Sequence, residues 1–286
     1  MQSKPLKSAY AECLQLANTH YENFPTASKL VKKKHRQATA VIYSFARRAD
    51  DFADEGEYDD KTRLSKLSQF EQFLIDIENN RPVDDPTFIA LADTIQQYKL
   101  PLLPFRKLLQ AFCMDVEKNR YTDFDELLHY CQHSANPVGE LVLRLHNAYT
   151  EETAGLSDNI CTALQLINFA QDIGEDYLQR NRVYIPQNEL GNISLSEQSV
   201  TQQLSSPELI KIVDYQLNRA KQLLLQGAPL VNHLQGRLKW VMKLTINGGL
   251  LICSKCQRRN NVFLRPTVTR TDTLGLLFKS IYFRPR

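Results

Sequence analysis

An all-α fold is predicted for this chain, and three observations predict it. Leu, Gln, Lys, Arg and Ala dominate the composition, residues that lose little on entering a helix. Only ten of the 286 residues are glycine, and runs rich in Val, Ile and Thr are scarce, so the usual material of strands is missing. Apolar residues recur three and four apart along most of the chain, the period of a helix with one buried face. No repeat, low-complexity stretch or linker is visible, so one domain over residues 1–286 is expected.

The elements follow in order. Ser8 to Tyr21 is expected as a first helix, with Ala9, Cys13, Leu16 and Ala17 on one face. Pro25 and Ser28 close a connector and can start the next helix. After the basic run Lys32 to Arg36, a helix from Gln37 carries Ala40, Val41 and Phe45 into Arg47-Arg48-Ala49-Asp50-Asp51-Phe52-Ala53-Asp54-Glu55, and Gly56 is expected to end it. Lys61 to Glu78 turns Leu64, Leu67, Phe70, Phe73, Leu74 and Ile77 toward a core. Pro82 and Pro86 break the pattern, and helices follow over Phe88 to Tyr98 and Pro104 to Asn119. Within the apolar stretch Phe124 to Tyr149, the run Asn136-Pro137-Val138-Gly139 predicts a kink or break. Ser157 to Leu178 reads as one helix, followed by the basic loop Arg180 to Pro186. Asn188 to Ser206 reads as a loop with a short helix. Pro207 to Leu225 and Leu234 to Lys255 are further helices, the second with Gly248-Gly249 allowing close packing or a bend.

Composition narrows the function. At 43% hydrophobic and 23% charged, the chain resembles a soluble globular protein with ample core, and no apolar run reaches the roughly 18 residues that span a bilayer. No secretory signal opens it, so Cys13, Cys113, Cys131, Cys161, Cys253 and Cys256 are expected to be reduced, mostly buried thiols in the cytoplasm. The lone pair Cys253-x-x-Cys256 lacks a second pair, which argues against zinc or redox chemistry. Net charge is +3, yet from Pro229 onward eleven basic residues face a single acid, Asp272. That asymmetry points to an anionic partner, a diphosphate or a lipid surface. Nucleic acid fits poorly, because no groove-reading motif accompanies the charge. The tail Leu274 to Arg284 mixes apolar and basic residues and could lie on a membrane surface, on the inner face if the protein is cytoplasmic.

Two acidic stripes carry the chemistry. On a helix, Arg47, Asp50, Asp51 and Asp54 share one side, and Asp50 and Asp54 have Cβ atoms about 6 Å apart. In the second stretch Gln165, Asn168, Asp172 and Asp176 are spaced three, four and four, one narrow helical stripe, with Glu175 beside it. Acidic clusters are most often solvated helix faces. Here the first stripe ends an apolar helix, and the second repeats its spacing and adds uncharged oxygen donors. Such hard oxygen ligands suit Mg²⁺, which keeps several waters and is completed by substrate phosphates. Arg47, Arg180 and Arg182 could bind the remaining phosphate charge as forked donors. Paired carboxylates also occur in glycoside hydrolysis, but doubled stripes flanked by arginines suit a metal-carried polyanion better.

At these residues the chain resembles the squalene/phytoene synthase family of head-to-head prenyl transferases, over nearly its whole length. The matching segments are Asn23 to Ser28, Tyr43 to Glu55, Tyr130-Cys131 with Val138-Gly139, and Ala163 to Asn168 through Asp172 to Asp176 and on to Arg182-Val183-Tyr184-Ile185-Pro186. The resemblance implies an isoprenoid-synthase-type helical bundle around a central cavity. It implies ionisation of a prenyl diphosphate, with Mg²⁺ on Asp50, Asp54, Asn168, Asp172 and Asp176, and with Asp51 and Glu175 as further candidates. It assigns Ser28, Tyr130, Gln165, Asn168 and Tyr184 to the walls of the diphosphate or cation site, and Phe24, Tyr43, Phe45 and Phe169 to an aromatic pocket for the cation. Asn23-Phe24-Pro25, His133 to Gly139 and Asn168 to Asp172 look most like the branch serving bacterial hopanoid synthesis. That branch is understood to convert presqualene diphosphate to hydroxysqualene, between partner enzymes that make the substrate and reduce the product. The chain is expected to lack the C-terminal anchor of the larger eukaryotic squalene synthases, which argues against NADPH-dependent reduction.

Two alternatives stay open. One is condensation of two farnesyl diphosphates to presqualene diphosphate, squalene or a carotenoid precursor. The other is a non-catalytic scaffold relative, which would be expected to lose acids from one stripe, whereas both are complete here.

Overall fold

The computed structural model of the chain describes residues 4–19 and 35–283. Among the described residues there are fifteen helices, and extended pairing is limited to a single bridge between Arg120 and Val183. The all-α expectation holds. No helix among the described residues is long and apolar enough to cross a membrane. The chain divides into two compact units, Met1–Glu117 with Glu140–Tyr149 and Lys118–Gly139 with Thr150–Arg286.

The first unit is built on α2 (Arg36–Asp54), which packs against α1 (Lys4–Thr19), α3 (Asp60–Glu78), α4 (Pro86–Tyr98) and α5 (Leu103–Glu117). Each of four helices gives one phenylalanine to the centre: Phe45, Phe70, Phe88 and Phe105. Phe45 meets the other three with ring centroids 5.9, 5.8 and 5.3 Å away. The contacts with Phe88 and Phe105 are edge-on, and such pairs add to the large area each ring buries. Phe45, expected in a cation pocket, is therefore core, fully buried among these rings. Arg48 of α2 forks onto Asp85 at 2.7 and 2.8 Å. Asp85 also caps α4 by accepting from the Thr87 amide at 2.9 Å, so one carboxylate fixes the start of α4 against α2. Burial works to raise the Asp85 pKa, and the Arg48 guanidinium overrides it and lowers it.

The second unit is built on α8 (Glu151–Gln171), which runs along α12 (Pro207–Gly227) and also meets α6 (Phe124–Ser134), α9 (Ile173–Arg180) and α14 (Gly236–Arg258). Two glycines set how closely these helices approach. A Cβ on Gly227 would lie 2.6 Å from the Leu156 carbonyl oxygen, so only glycine fits there, while one on Gly249 would lie 2.8 Å from Leu164 Cδ2 and would require that side chain to move. The expected interruption at Asn136-Pro137 is real: α6 stops at Ser134 and α7 (Asn136–Leu145) begins afresh. Both boundaries of α8 differ from expectation. α8 starts six residues early, because Thr150 and Thr153 form a reciprocal cap. It also stops at Gln171, where a continuous helix was expected, and α9 resumes at Ile173.

Candidate active site

The first stripe lies on the last turns of α2. That helix buries Val41, Phe45, Ala49 and Ala53, which leaves Tyr43, Arg47, Asp50, Asp51 and Asp54 on its polar flank. Arg47 reaches Asp50 at 3.2 Å and Asp51 at 2.6 Å, and it also pairs with Glu55. Burial works against the Arg47 charge, but the neighbouring carboxylates outweigh it and its pKa rises. Arg47 is thus engaged by its own stripe and must exchange partners to take a phosphate. Burial also pushes the Tyr43 phenol up, with Arg47 opposing and Asp50 and Asp51 assisting.

Gly56 ends this helix as expected, but the arginine that caps its carbonyls was not legible in sequence. Arg63 of α3 donates to the carbonyls of Phe52, Ala53, Glu55 and Gly56 at 3.0, 2.8, 3.2 and 2.8 Å. A helix end carries orphan carbonyls and partial negative charge, and here acids crowd the same turn. One guanidinium satisfies the carbonyls and offsets that charge, while Gly56 takes the positive φ of +79° that turns the chain away.

The second stripe crosses the junction of α8 and α9. Asp172 sits at the bend with φ −107° and ψ 16°. The backbone still bonds through it, Asp172 N to Asn168 O at 2.9 Å and Asp176 N to Asp172 O at 2.9 Å. Spacing therefore survives the bend: Asn168, Asp172 and Asp176 remain one ladder, with Gln165 a turn earlier. The bend is held by Arg259, at the end of α14, which donates to the carbonyls of Ala170 and Gln171 and, at 2.7 Å, to that of Leu264. Gln171 donates its side chain to the Pro266 carbonyl at 2.5 Å.

Charge is concentrated here. Asp172 is buried and is gripped by Arg265, Nε to Oδ1 at 2.5 Å and Nη2 to Oδ2 at 3.3 Å. The same Arg265 Nε lies 3.3 Å from Glu175. Asp176 is pushed up to about 7, first by burial and then by the charge of Asp172, with Arg180 and Arg182 opposing. Arg182 is buried and Arg180 exposed. Next to the acids stand stacked aromatic rings. Phe169 lies 3.7 Å from Tyr184 at an 8° interplanar angle, and Tyr130 and Tyr121 lie 5.8 and 5.6 Å from Tyr184. The loop bearing Tyr184 is fixed by Val183 N to Asn119 O at 2.9 Å and Gln187 N to Tyr121 O at 2.8 Å.

The structure thus gathers Gln165, Asn168, Asp172, Asp176, Arg180, Arg182, Tyr130 and Tyr184 within the second unit, and Arg47, Asp50, Asp51 and Asp54 within the first. Ser28 and Phe24 lie outside the described residues. Sequence reasoning passed over Arg63, Arg259 and Arg265 beside the stripes; the last two were only members of the basic stretch from Pro229 onward, with no periodic link to a helix some ninety residues earlier. All six cysteines are free thiols, and Cys253 and Cys256 are buried on α14. Among the described residues no three His, Cys, Asp or Glu side chains converge on one ion position. Mg²⁺ sites need few protein ligands, since substrate phosphates and water complete them. The donors are all hard oxygens, so the residues fit a divalent cation.

Known proteins resemble this chain over most of its length. The family model described as squalene/phytoene synthase matches residues 17–272. A hydroxysqualene synthase of Rhodopseudomonas palustris is 38% identical over 218 residues, 76% of this chain and 73% of that protein. One from Sinorhizobium fredii is 32% identical over 240 residues, 84% of this chain and 80% of the relative. The crystal structure of squalene synthase HpnC from Alicyclobacillus acidocaldarius superposes with a TM-score of 0.81 at 32% identity, covering 90% of this chain and 96% of that one. With the match running through both acidic stripes and the aromatic loop, the chain belongs to the squalene/phytoene synthase family.

Proposed function

We propose that this chain is an isoprenoid synthase that converts presqualene diphosphate and water to hydroxysqualene and diphosphate. The observation that carries the proposal is the stretch from Gln165 to Tyr184. There carboxylates, two arginines and a stacked aromatic pair occupy neighbouring turns. Relatives named hydroxysqualene synthase at 38% and 32% identity support the choice of reaction.

The carbon–oxygen bond to the diphosphate breaks, and its electron pair leaves with the oxygen. Arg180 and Arg182 hold fixed positive charge where that negative charge develops. Asp50, Asp54, Asn168, Asp172 and Asp176 would hold Mg²⁺, which when bound supplies further positive charge to the leaving group. Arg47 would exchange Asp51 for a phosphate oxygen, Gln165 would donate its amide to the diphosphate, Asp51 would reach it only through the cation, and Ser28, outside the described residues, is assigned to the same contacts. Tyr130, Phe169 and Tyr184 would form an aromatic wall that shields the carbocation from water until rearrangement is complete. Water then adds to the rearranged cation and loses a proton, giving the alcohol. The family match over residues 17–272 supports reading the chain as one catalytic domain that carries both stripes. The protein works in the cytoplasm at the inner membrane face, next to enzymes that supply the diphosphate and reduce the alcohol.

The experiment is incubation of purified protein and Mg²⁺ with presqualene diphosphate and, separately, with farnesyl diphosphate, with products identified by mass spectrometry. Hydroxysqualene from the first substrate alone is the expected result. A thirty-carbon product from farnesyl diphosphate alone would replace this reading with the condensing one.

A further inference from the structure

The C-terminal helix α15 (Arg270–Tyr282) wears its apolar face outward. Leu274, Leu277, Phe278, Ile281 and Tyr282 fall at offsets of zero, three, four, seven and eight, the spacing that ordinarily marks a buried stripe. Yet they are 72, 48, 66, 53 and 70% exposed. The opposite face docks on α14 through polar contacts. Asn247 donates to the buried Ser280 hydroxyl at 3.0 Å, and Lys255 pairs with Asp272. A reciprocal cap between Thr269 and Asp272 starts the helix. Polar anchoring therefore fixes which side of α15 meets the protein, and the apolar side is left to something else.

Charge says what that is. The stripe is flanked by the exposed cations Arg270 and Lys279. A cleft of about 330 Å³ between α14 and α15 is lined by Arg258 and Lys279. Its one acid, Asp272, is already neutralised by Lys255, and from Pro229 onward there is no other. A second copy of the chain would bring like charges together, and this surface holds no unpaired acid for a basic partner. A bilayer with anionic headgroups offers both an apolar layer and negative charge at the right relative depth. We propose that the outward face of α15 is a docking surface for an anionic lipid bilayer. Leu274, Leu277, Phe278, Ile281 and Tyr282 enter the acyl boundary, while Arg270, Lys279 and Arg258 meet headgroup phosphates. The proposal gives the membrane contact named above a defined face, and it stands apart from the synthase reading because binding is measured without substrate.

The test is flotation of the full chain with vesicles of phosphatidylcholine alone or doped with phosphatidylglycerol. The unmodified protein should float with the doped vesicles only, and added salt should release it. The triple variant Leu274→Ser, Phe278→Ser, Tyr282→Ser should bind about tenfold more weakly or worse, from lost apolar insertion. Its thermal unfolding should not change, because all three side chains are already exposed. Arg270→Glu with Lys279→Glu should remove the preference for doped vesicles. Absence of binding by the unmodified protein, or undiminished binding by the triple variant, would overturn the proposal. So would a vesicle-free dimer, seen by light scattering, that the triple variant dissolves, since the stripe would then be a subunit interface.

Discussion

The two acidic stripes share a spacing and differ in almost everything else. On α2 the aspartates project from an unbroken helix, with Asp50 and Asp51 side chains 40% and 31% exposed and tied to Arg47 four residues or fewer away. At the α8–α9 junction Asp172 is 10% exposed and is held by Arg265 from a distant part of the chain, and Asp176 is pushed up to about 7. Both sit where helix carbonyls also gather, and in both an arginine from another helix takes those carbonyls, Arg63 for the first and Arg259 for the second. One i, i+4 pattern can therefore yield a locally neutralised surface cluster or a buried, charge-strained one. The difference lies in which cations the fold brings.

The largest expected effect tests whether such unlike stripes serve one reaction. Asp50→Asn with Asp54→Asn, and separately Asp172→Asn with Asp176→Asn, should each lower turnover of presqualene diphosphate by about a thousandfold, roughly 4 kcal/mol. Circular dichroism should show the helices intact. Loss from only one pair would mean the stripes do not share a substrate, and loss from neither would favour the scaffold alternative.

Next in size are the two carbonyl-collecting arginines. Arg259→Ala leaves carbonyls at an internal bend without a donor and should cost about 3 kcal/mol in urea unfolding. Arg63→Ala acts at an exposed helix end where water can replace it, and should cost about 1 kcal/mol. Equal costs would erase the contrast between a structural bend and a simple terminus.

A smaller effect has opposite signs in the two stripes. The Asp176 carboxyl has a folded pKa near 7 against roughly 3.9 when unfolded. The folded protein thus binds more protons over that interval, and stability falls as pH rises from about 4 to about 7. In metal-free protein at pH 8, Asp176→Asn should stabilise by about 2 kcal/mol, allowing for the solvent the carboxyl still meets, and should flatten the decline. Asp51→Asn removes a part-exposed ion pair instead, and should destabilise by about 0.5 kcal/mol. Urea midpoints across that pH range check both.

The smallest effect concerns the competing cations. Arg265→Gln frees Asp172 and removes positive charge, so Mg²⁺ affinity measured by calorimetry should rise about threefold. Arg47→Gln, acting on more exposed acids, should raise it less. An unchanged Mg²⁺ affinity in Arg265→Gln would show that the Asp172 carboxylate does not contribute to the cation site.

Much of this was legible in the sequence, for reasons local to each element. Pro and Gly announce helix ends through their own backbone limits, as at Asn136-Pro137 and Gly56. The i, i+4 acids announce a shared face because helical geometry fixes it, even across the bend at Asp172. The aromatic residues were less legible, since Phe45 and Phe169 carry the same signal and only their neighbours separate a ring in the phenylalanine core from one stacked on Tyr184. Least legible was α15, whose stripe has the period of a core face and points outward.

By itself, the sequence determined helix content, the two acidic stripes and the family, because each depends on residues within a few turns of one another. Tertiary structure alone decided the rest: that Arg63 and Arg259 gather the carbonyls, that Arg265 grips Asp172, that Asp176 is buried enough to hold its proton near neutrality, and that α15 turns its apolar side to solvent. Those are outcomes of distance and desolvation between segments remote in the chain, and neither quantity is written in the spacing of residues along one helix.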